Sequence, residues 1–281
     1  MDINFFIQNS YEISKLITKN YSTSFSLATS LLESEKRKAI YAIYGFVRLA
    51  DEIVDSFAGH NQQYLLDDLK EDLYYTINNN IHTNPIIVSF VDTVKKFNIK
   101  REHIEAFIKS MESDLTIEKY ETKIEIENYI YGSADVVGLM CLQVFCDGDD
   151  NLYDKLEYSA RKLGSAFQKV NFLRDLNFDT QYLGRIYFPE ISNGKFDNNT
   201  KKLIERSIEN DFKEAYKGIK YLHGRSELAV SIAYSYYLKL FKKMRKLSYE
   251  AILSKRIRLS NFRKFIVIVQ QYFRYLTFKK S

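Results

Sequence analysis

Only two prolines and ten glycines punctuate the 281 residues, so little in the chain forces a turn or breaks a helix. No stretch of useful length alternates apolar and polar residues, which excludes a sheet-based fold, and no linker composition or low-complexity tract divides the chain. One all-α domain over residues 1–281 is the expectation. Cys141 and Cys146 stand five apart within a helical pattern; that spacing fits neither a zinc pair nor a redox motif and predicts buried thiols in a reducing cytosol. No glycine-rich nucleotide loop is visible, and His60, His82, His103 and His223 have no ligand spacing and belong to no Ser-His-Asp set. The opening Met-Asp-Ile-Asn-Phe-Phe-Ile-Gln lacks the charged and apolar regions of a signal peptide. No segment reads as a bilayer span, which needs about 20 predominantly apolar residues.

What the chain does hold is apolar and aromatic surface, with a hydrophobic fraction of 46%, 22 tyrosines and 20 phenylalanines. Such a composition fills a core, and it also lines a cavity for a long hydrocarbon with apolar walls and polar rims. Against this background two polar stripes stand out. Tyr44, Arg48, Asp51 and Asp55 share one face of a helix whose remaining surface carries Ile40, Ile43, Phe46, Val47, Leu49, Ile53 and Val54. Far downstream Gln168, Asn171, Asp175 and Asp179 repeat the arrangement, with Arg174 beside them.

Inward-facing aspartates four residues apart lie about 5–6 Å from each other. At an effective dielectric near 20 they repel by about 3 kcal/mol, so something positive must offset them. Two such pairs suit a cluster of magnesium ions, each of which takes a carboxylate or two and completes its shell with water and substrate phosphate. Asp67, Asp68, Glu71 and Asp72 lack the apolar flanks and read as a solvated face. Carboxylate-bound cations over an apolar, aromatic cavity suggest chemistry on an allylic diphosphate, with cations and arginines holding the departing anion and aromatic walls excluding water from a carbocation.

Local signals place helices at 10–20, from Ser34 to the loop 56–63, from there to about 76, at 85–97 behind the Asn84-Pro85 cap, and at 101–114. Thr122 and Glu125 form a capping box for a helix reaching 146, whose small-residue middle, 129–138, fits close helix packing and substrate room equally well. The run 147–151 is a turn with Asn151 as cap for the long helix bearing the second pair. After a polar loop to 199, helices are expected at 200–222, 226–247 and 260–278.

Ser24-Phe25, Leu31-Leu32 and residues 37–55 resemble the first signature of the squalene and phytoene synthase family. Leu163-Gly-x-Ala-x-Gln-x-x-Asn-x-x-Arg-Asp-x-x-x-Asp179 and Gly184-Arg-Ile-Tyr-Phe-Pro189 resemble the second, and the likeness extends over nearly the whole chain. The resemblance implies a single-domain isoprenoid-synthase helical bundle with a central cavity. It also implies a magnesium-dependent (or manganese-dependent) head-to-head condensation of two prenyl diphosphates through a cyclopropyl diphosphate. Asp51, Asp55, Asn171, Asp175 and Asp179 would hold metal and diphosphate, Arg48, Arg174 and Arg256 would contact phosphate, and Tyr44, Tyr129 and Tyr237 would line the reacting centre, with Phe25 and Gln168 on the substrate side. The chain departs from the family pattern at Glu52, where many members have aspartate, at Phe178, which replaces a glutamate, and at Asp135, usually a small neutral residue.

Phytoene from two geranylgeranyl diphosphates is the expected product. No dinucleotide motif or C-terminal anchor is visible, no nicotinamide cofactor is expected, and Gly132, Ser133, Ala134 and Gly138 leave room along one helix face. Farnesyl-based dehydrosqualene or squalene is the alternative. A head-to-tail prenyltransferase or terpene cyclase is disfavoured by Gly-Arg-Ile-Tyr-Phe-Pro, and a non-catalytic membrane-peripheral scaffold need not keep all four aspartates with both arginines. From Tyr237 onward the chain carries Lys239, Lys242, Lys243, Arg245, Lys246, Lys255, Arg256, Arg258, Arg263, Lys264, Arg274, Lys279 and Lys280 against the single acid Glu250. That tail predicts a cytoplasmic protein held at the inner face of an anionic membrane, with nucleic acid the least favoured partner for want of any motif.

Overall fold

Scarce breakers and apolar stripes at helical spacing give a chain that is helical nearly throughout. A computed structural model describes residues 2–192, 195–254 and 256–278. The helices are α1 (Ile3–Tyr21), α2 (Thr23–Thr29), α3 (Ser34–Ser56), α4 (Gln62–Asn79), α5 (Pro85–Lys96), α6 (Arg101–Asp114) and α7 (Lys123–Ile130), which continues through a π-helical turn (Tyr131–Asp135) into α8 (Val136–Cys146). There follow α9 (Asp150–Tyr182), α10 (Pro189–Ser192), α11 (Asn198–Ile219), α12 (Gly224–Arg245), α13 (Tyr249–Ser254) and α14 (Asn261–Phe278). Among the described residues there is no strand, only an isolated bridge between Lys119 and Ile186.

Capping sets several of these boundaries. Asn84 caps α5 with Pro85 as its first residue, and Thr122 with Glu125 closes a reciprocal capping box on α7. Elsewhere the ends differ from expectation. The first helix begins at Ile3 because Asp2 caps it, and the Ser/Thr-rich connector holds the short α2, capped by Ser22. Glu33, without a side-chain bond, precedes α3 where Ser34 was expected as cap, and Asp149 rather than Asn151 caps α9 by accepting from the Leu152 amide at 2.9 Å. The short α13 carried no sequence signal of its own.

The stretch Lys123–Cys146 corrects a further expectation, since by length and apolar composition it could cross a membrane. With 56% of that window buried, it packs instead as the central core helix against α6, α3 and α9. Close approach explains part of its small-residue content. A Cβ on Gly132 would meet the Ala106 carbonyl at 2.6 Å, so that glycine serves packing on α6, whereas Ser133, Ala134 and Gly138 face a cavity. The π turn inserts an extra residue per turn and re-aims its side chains. Asp135 consequently points behind the wall, where Ser165 Oγ donates to it at 2.7 Å and Arg161 stands 3.6 Å away.

Candidate active site

The central cavity, about 300 Å³, is walled by α2, α3, the π turn with α8, α9, α11 and α12. Along α9 the lining runs from Leu156 to Asn171, about 22 Å at 1.5 Å rise per residue. Asp175 and Asp179 follow one and two turns beyond Asn171. On α3 the lining ends at Val47, and Asp51 and Asp55 follow in the same way. Both helices thus pass from apolar wall to carboxylates at one end of the cavity.

Arginines frame that end. Arg48 donates to Asp51 and Glu52 and lies 4.4 Å from the centre of the Tyr21 ring, while its Nε is buried without a partner. Glu52, the departure noted in the sequence, is therefore the second arm of this guanidinium's embrace. Arg174 clasps Asp175 at 2.5 Å, and Arg256 reaches the same carboxylate at 2.7 Å across the loop that follows α13. Phe178 lies on the outside, exposed and stacked on Tyr182 at 5.1 Å.

Phe25, Tyr44, Gln168, Asn171 and Tyr237 all line the cavity. The Tyr44 ring stacks on Phe25 at 4.9 Å and Tyr237 on Phe167 at 4.0 Å; the Tyr237 hydroxyl donates to Asn171 Oδ1 at 3.4 Å, and Gln168 reaches Ser133 Oγ at 3.5 Å. Burial raises the Tyr44 phenol to about 12. Tyr129 is placed otherwise than expected. It is buried and absent from the cavity wall, stacked with Tyr187 at 5.5 Å and tilted against Tyr120 at 4.9 Å, and its hydroxyl donates to Asp114 Oδ2 at 2.8 Å.

The sequence did not single out the hub of this arrangement, Arg185. Buried, it donates to Asp55 Oδ1 at 2.5 Å, to the main-chain oxygens of Val54 at 3.1 Å and Asp114 at 2.9 Å, and to the Tyr187 hydroxyl at 3.4 Å. Its own amide bonds to the Asp179 carbonyl at 2.9 Å, so one residue ties the ends of α3, α6 and α9 together. Burial opposes its charge, but Tyr187, Asp114 and Asp55 outweigh that and raise its pKa. The available signal was a lone cation inside an apolar motif, Gly-Arg-Ile-Tyr-Phe-Pro, which needs a buried acid. Asp114 gave no signal, because an aspartate at a helix end reads as an exposed boundary.

The carboxylates remain short of positive charge. Burial and the neighbouring Asp55 push Asp51 up to about 7; burial, Asp175 and Asp55 do the same to Asp179. Burial likewise lifts Asp114 to about 7, and its Oδ1 has no partner. Among the described residues no group of three or more His, Cys, Asp or Glu side chains stands ready to cage an ion. The donors come two and two, which fits magnesium, an ion that keeps water and phosphate in its shell.

A helical shell around a long apolar cavity, with two carboxylate pairs and arginines gathered at one end, defines a class of protein suited to hydrocarbon chains that carry an anionic head. The family model described as Squalene/phytoene synthase matches residues 18–263, and the chain belongs to that family. The phytoene synthase of Arthrospira platensis is 31% identical over 269 residues, covering 86% of each chain. The 4,4'-diapophytoene synthase of Staphylococcus haemolyticus is 29% identical over 201 residues, 71% of this chain and 69% of that protein. In fold, the chain is similar to a dehydrosqualene synthase solved with a ligand, at a TM-score of 0.82 with 23% identity, covering 96% and 98% of the two chains.

Proposed function

We propose that the chain is a magnesium-dependent prenyltransferase. It joins two geranylgeranyl diphosphates head to head (1'-1), through the cyclopropyl prephytoene diphosphate, to give phytoene in carotenoid biosynthesis. The observation that carries this reading is the placement of two carboxylate pairs at one end of an apolar cavity lined by α9 from Leu156 to Asn171. Bound magnesium, or manganese in its place, would supply positive charge to the departing diphosphate.

The chain's own groups account for the rest. Arg48, Arg174 and Arg256 stand at the carboxylates, where guanidinium forks can also donate to phosphate oxygens. The stacked pairs Phe25–Tyr44 and Phe167–Tyr237 present ring faces beneath that end, shielding electron-poor carbon from water. Arg185 fixes Asp55, and Tyr129 with Asp114 supports it from behind. Loss of both diphosphates and of protons balances the reaction, so no hydride donor is needed.

Small residues at Ser133, Ala134, Gly138, Ala160 and Gly164 widen the middle of the cavity, which favours the longer chain. The likeness to a diapophytoene synthase favours farnesyl diphosphate as the second reading. A hydrocarbon product cannot leave into water, which favours a seat at the inner face of the cytoplasmic membrane.

The deciding experiment offers geranylgeranyl and farnesyl diphosphates in competition, with magnesium and without a nicotinamide cofactor, and reads the hydrocarbon by mass. A forty-carbon product, abolished by chelation and lowered by orders of magnitude in Asp51→Asn and Asp175→Asn, is expected. A dominant thirty-carbon product refutes the chain length, and near-normal turnover in either variant refutes the site.

A further inference from the structure

Amphipathic helices of a folded chain normally turn their apolar stripe inward. α14 carries one outward. Val267 is buried against Ala28, Leu228 and Ile232, with Ile268 and Tyr275 beside it. On the opposite side Phe262, Phe265, Val269, Tyr272 and Leu276 follow at spacings of three and four residues with Phe273 beside them, and all of them except Val269 are between 40 and 72% exposed. Arg263, Lys264 and Arg274 are the only charged residues of the helix, Arg274 donating to the Tyr216 hydroxyl at 2.6 Å, and residues 251–281 contain no aspartate or glutamate. Of the basic residues expected in this tail, Lys255, Lys279 and Lys280 lie outside the described residues.

Two features select the occupant of this face. An exposed aromatic stripe on a helix whose only charged residues are the cations Arg263, Lys264 and Arg274 complements an anionic lipid surface. The helix also covers a part of the cavity wall lined by alanines. Ala28 of α2 and Ala233 of α12 line the cavity and pack, with Leu228 and Ile232, against the inner side of α14, so this helix stands between that part of the apolar interior and the outside. Lys264 Nζ donates to Thr23 Oγ1 at 3.0 Å and fixes α14 to the start of α2.

We propose that α14 seats the protein on an anionic bilayer with its aromatic stripe among the headgroups, so that the alanine-lined wall faces lipid and the membrane takes up the product there. The seat rests on side-chain chemistry alone; the uptake rests on the reaction proposed above.

The chain has no tryptophan, so Phe273→Trp provides a single fluorescent reporter, with Tyr64→Trp on α4 as the control. Vesicles of phosphatidylcholine with 30% phosphatidylglycerol (about that fraction suffices for an anionic surface) should shift the Phe273→Trp emission to the blue and leave the control unmoved. The double variant Phe265→Glu/Phe273→Glu should bind these vesicles at least about tenfold more weakly, keep single-turnover hydrocarbon formation, and lose the rise in steady-state turnover that vesicles give the parent. An unmoved reporter, equal binding of the double variant, equal binding to neutral vesicles, or a dimer broken by the double substitution without any vesicle binding each overturns the proposal. Absence of hydrocarbon in a single turnover of the parent overturns the reaction instead, and the fluorescence still decides the seat.

Discussion

Asp179→Asn should make the metal-free protein more stable while abolishing turnover. Asp179 follows Asp175 by one helical turn, about 5–6 Å away, and among the described residues no cation forms an ion pair with it. At that separation and an effective dielectric near 20 the repulsion is about 3 kcal/mol. Arg174 and Arg256 already neutralise much of Asp175, and solvent at the cavity end screens the remainder, so the gain should be about 1–3 kcal/mol at pH 8.

The pH dependence fixes the sign. Burial, then Asp175 and Asp55, raise Asp179 from 3.8 to about 7 in the folded state. The folded protein therefore binds this proton more tightly than the unfolded chain, and the charged carboxylate costs stability above pH 7. That cost fades as the pH falls from 7 toward 4, and it is gone well below 3.8, where Asp179 is protonated in both states. Urea denaturation with chelator present should thus show Asp179→Asn above the parent at pH 8, with the difference closing by pH 5. Asp51 and Asp114 titrate in the same range in both proteins, so the difference isolates Asp179. A variant no more stable than its parent at pH 8, or an advantage that grows on acidification, would refute the reasoning.

Two further outcomes follow from packing. Arg185→Met leaves the half-buried Asp55 carboxylate and the Asp114 carbonyl without this donor, and should cost about 2–4 kcal/mol in chemical denaturation; a loss below about 1 kcal/mol would remove Arg185 as the hub. Gly164→Ala places a methyl 2.7 Å from the Ala134 carbonyl and 3.0 Å from Asp135 Cα. It should cost about 1–3 kcal/mol by prising α9 from the π turn, and a melting temperature equal to the parent's would show that the two elements are not packed this closely.

The helical fold and the carboxylate pairs were legible because they are local. A scarcity of breakers and an offset of three and four residues need no tertiary knowledge, and α6 falls on its expected residues. α2 was hidden because seven residues rich in serine and threonine have weak helical preference; Ser22 and the burial of Ala28 and Thr29 hold them. The helix to Cys146 was legible from its capping box, but its apolarity was underrated, since the stretch is apolar enough to span a bilayer and only its packing shows that protein surrounds it. Arg185, Asp114 and Tyr129 meet from three separate parts of the chain, and no spacing rule connects them. The placement of Arg256 on Asp175 is of the same kind, a contact across 81 positions.

The charge inventory of the site gives those distant contacts a common purpose. Asp51, Glu52, Asp55, Asp114, Asp175 and Asp179 gather at one end of the cavity with Arg48, Arg174, Arg185 and Arg256, so carboxylates outnumber guanidiniums. Every one of the four arginines is already engaged with a carboxylate. A diphosphate arriving alone would have to draw Arg174 and Arg256 off Asp175 and would add its own charge to an excess of negative charge. An arrangement of this sign rejects a bare anion and accepts one only with added positive charge, whether protons or divalent cations. Burial and neighbouring carboxylates push Asp51 and Asp179 up to about 7, which expresses the same deficit of positive charge. The arginines therefore hold the carboxylates together more than they attract substrate, and Arg185, the most deeply buried of them, is committed to Asp55 and the main chain.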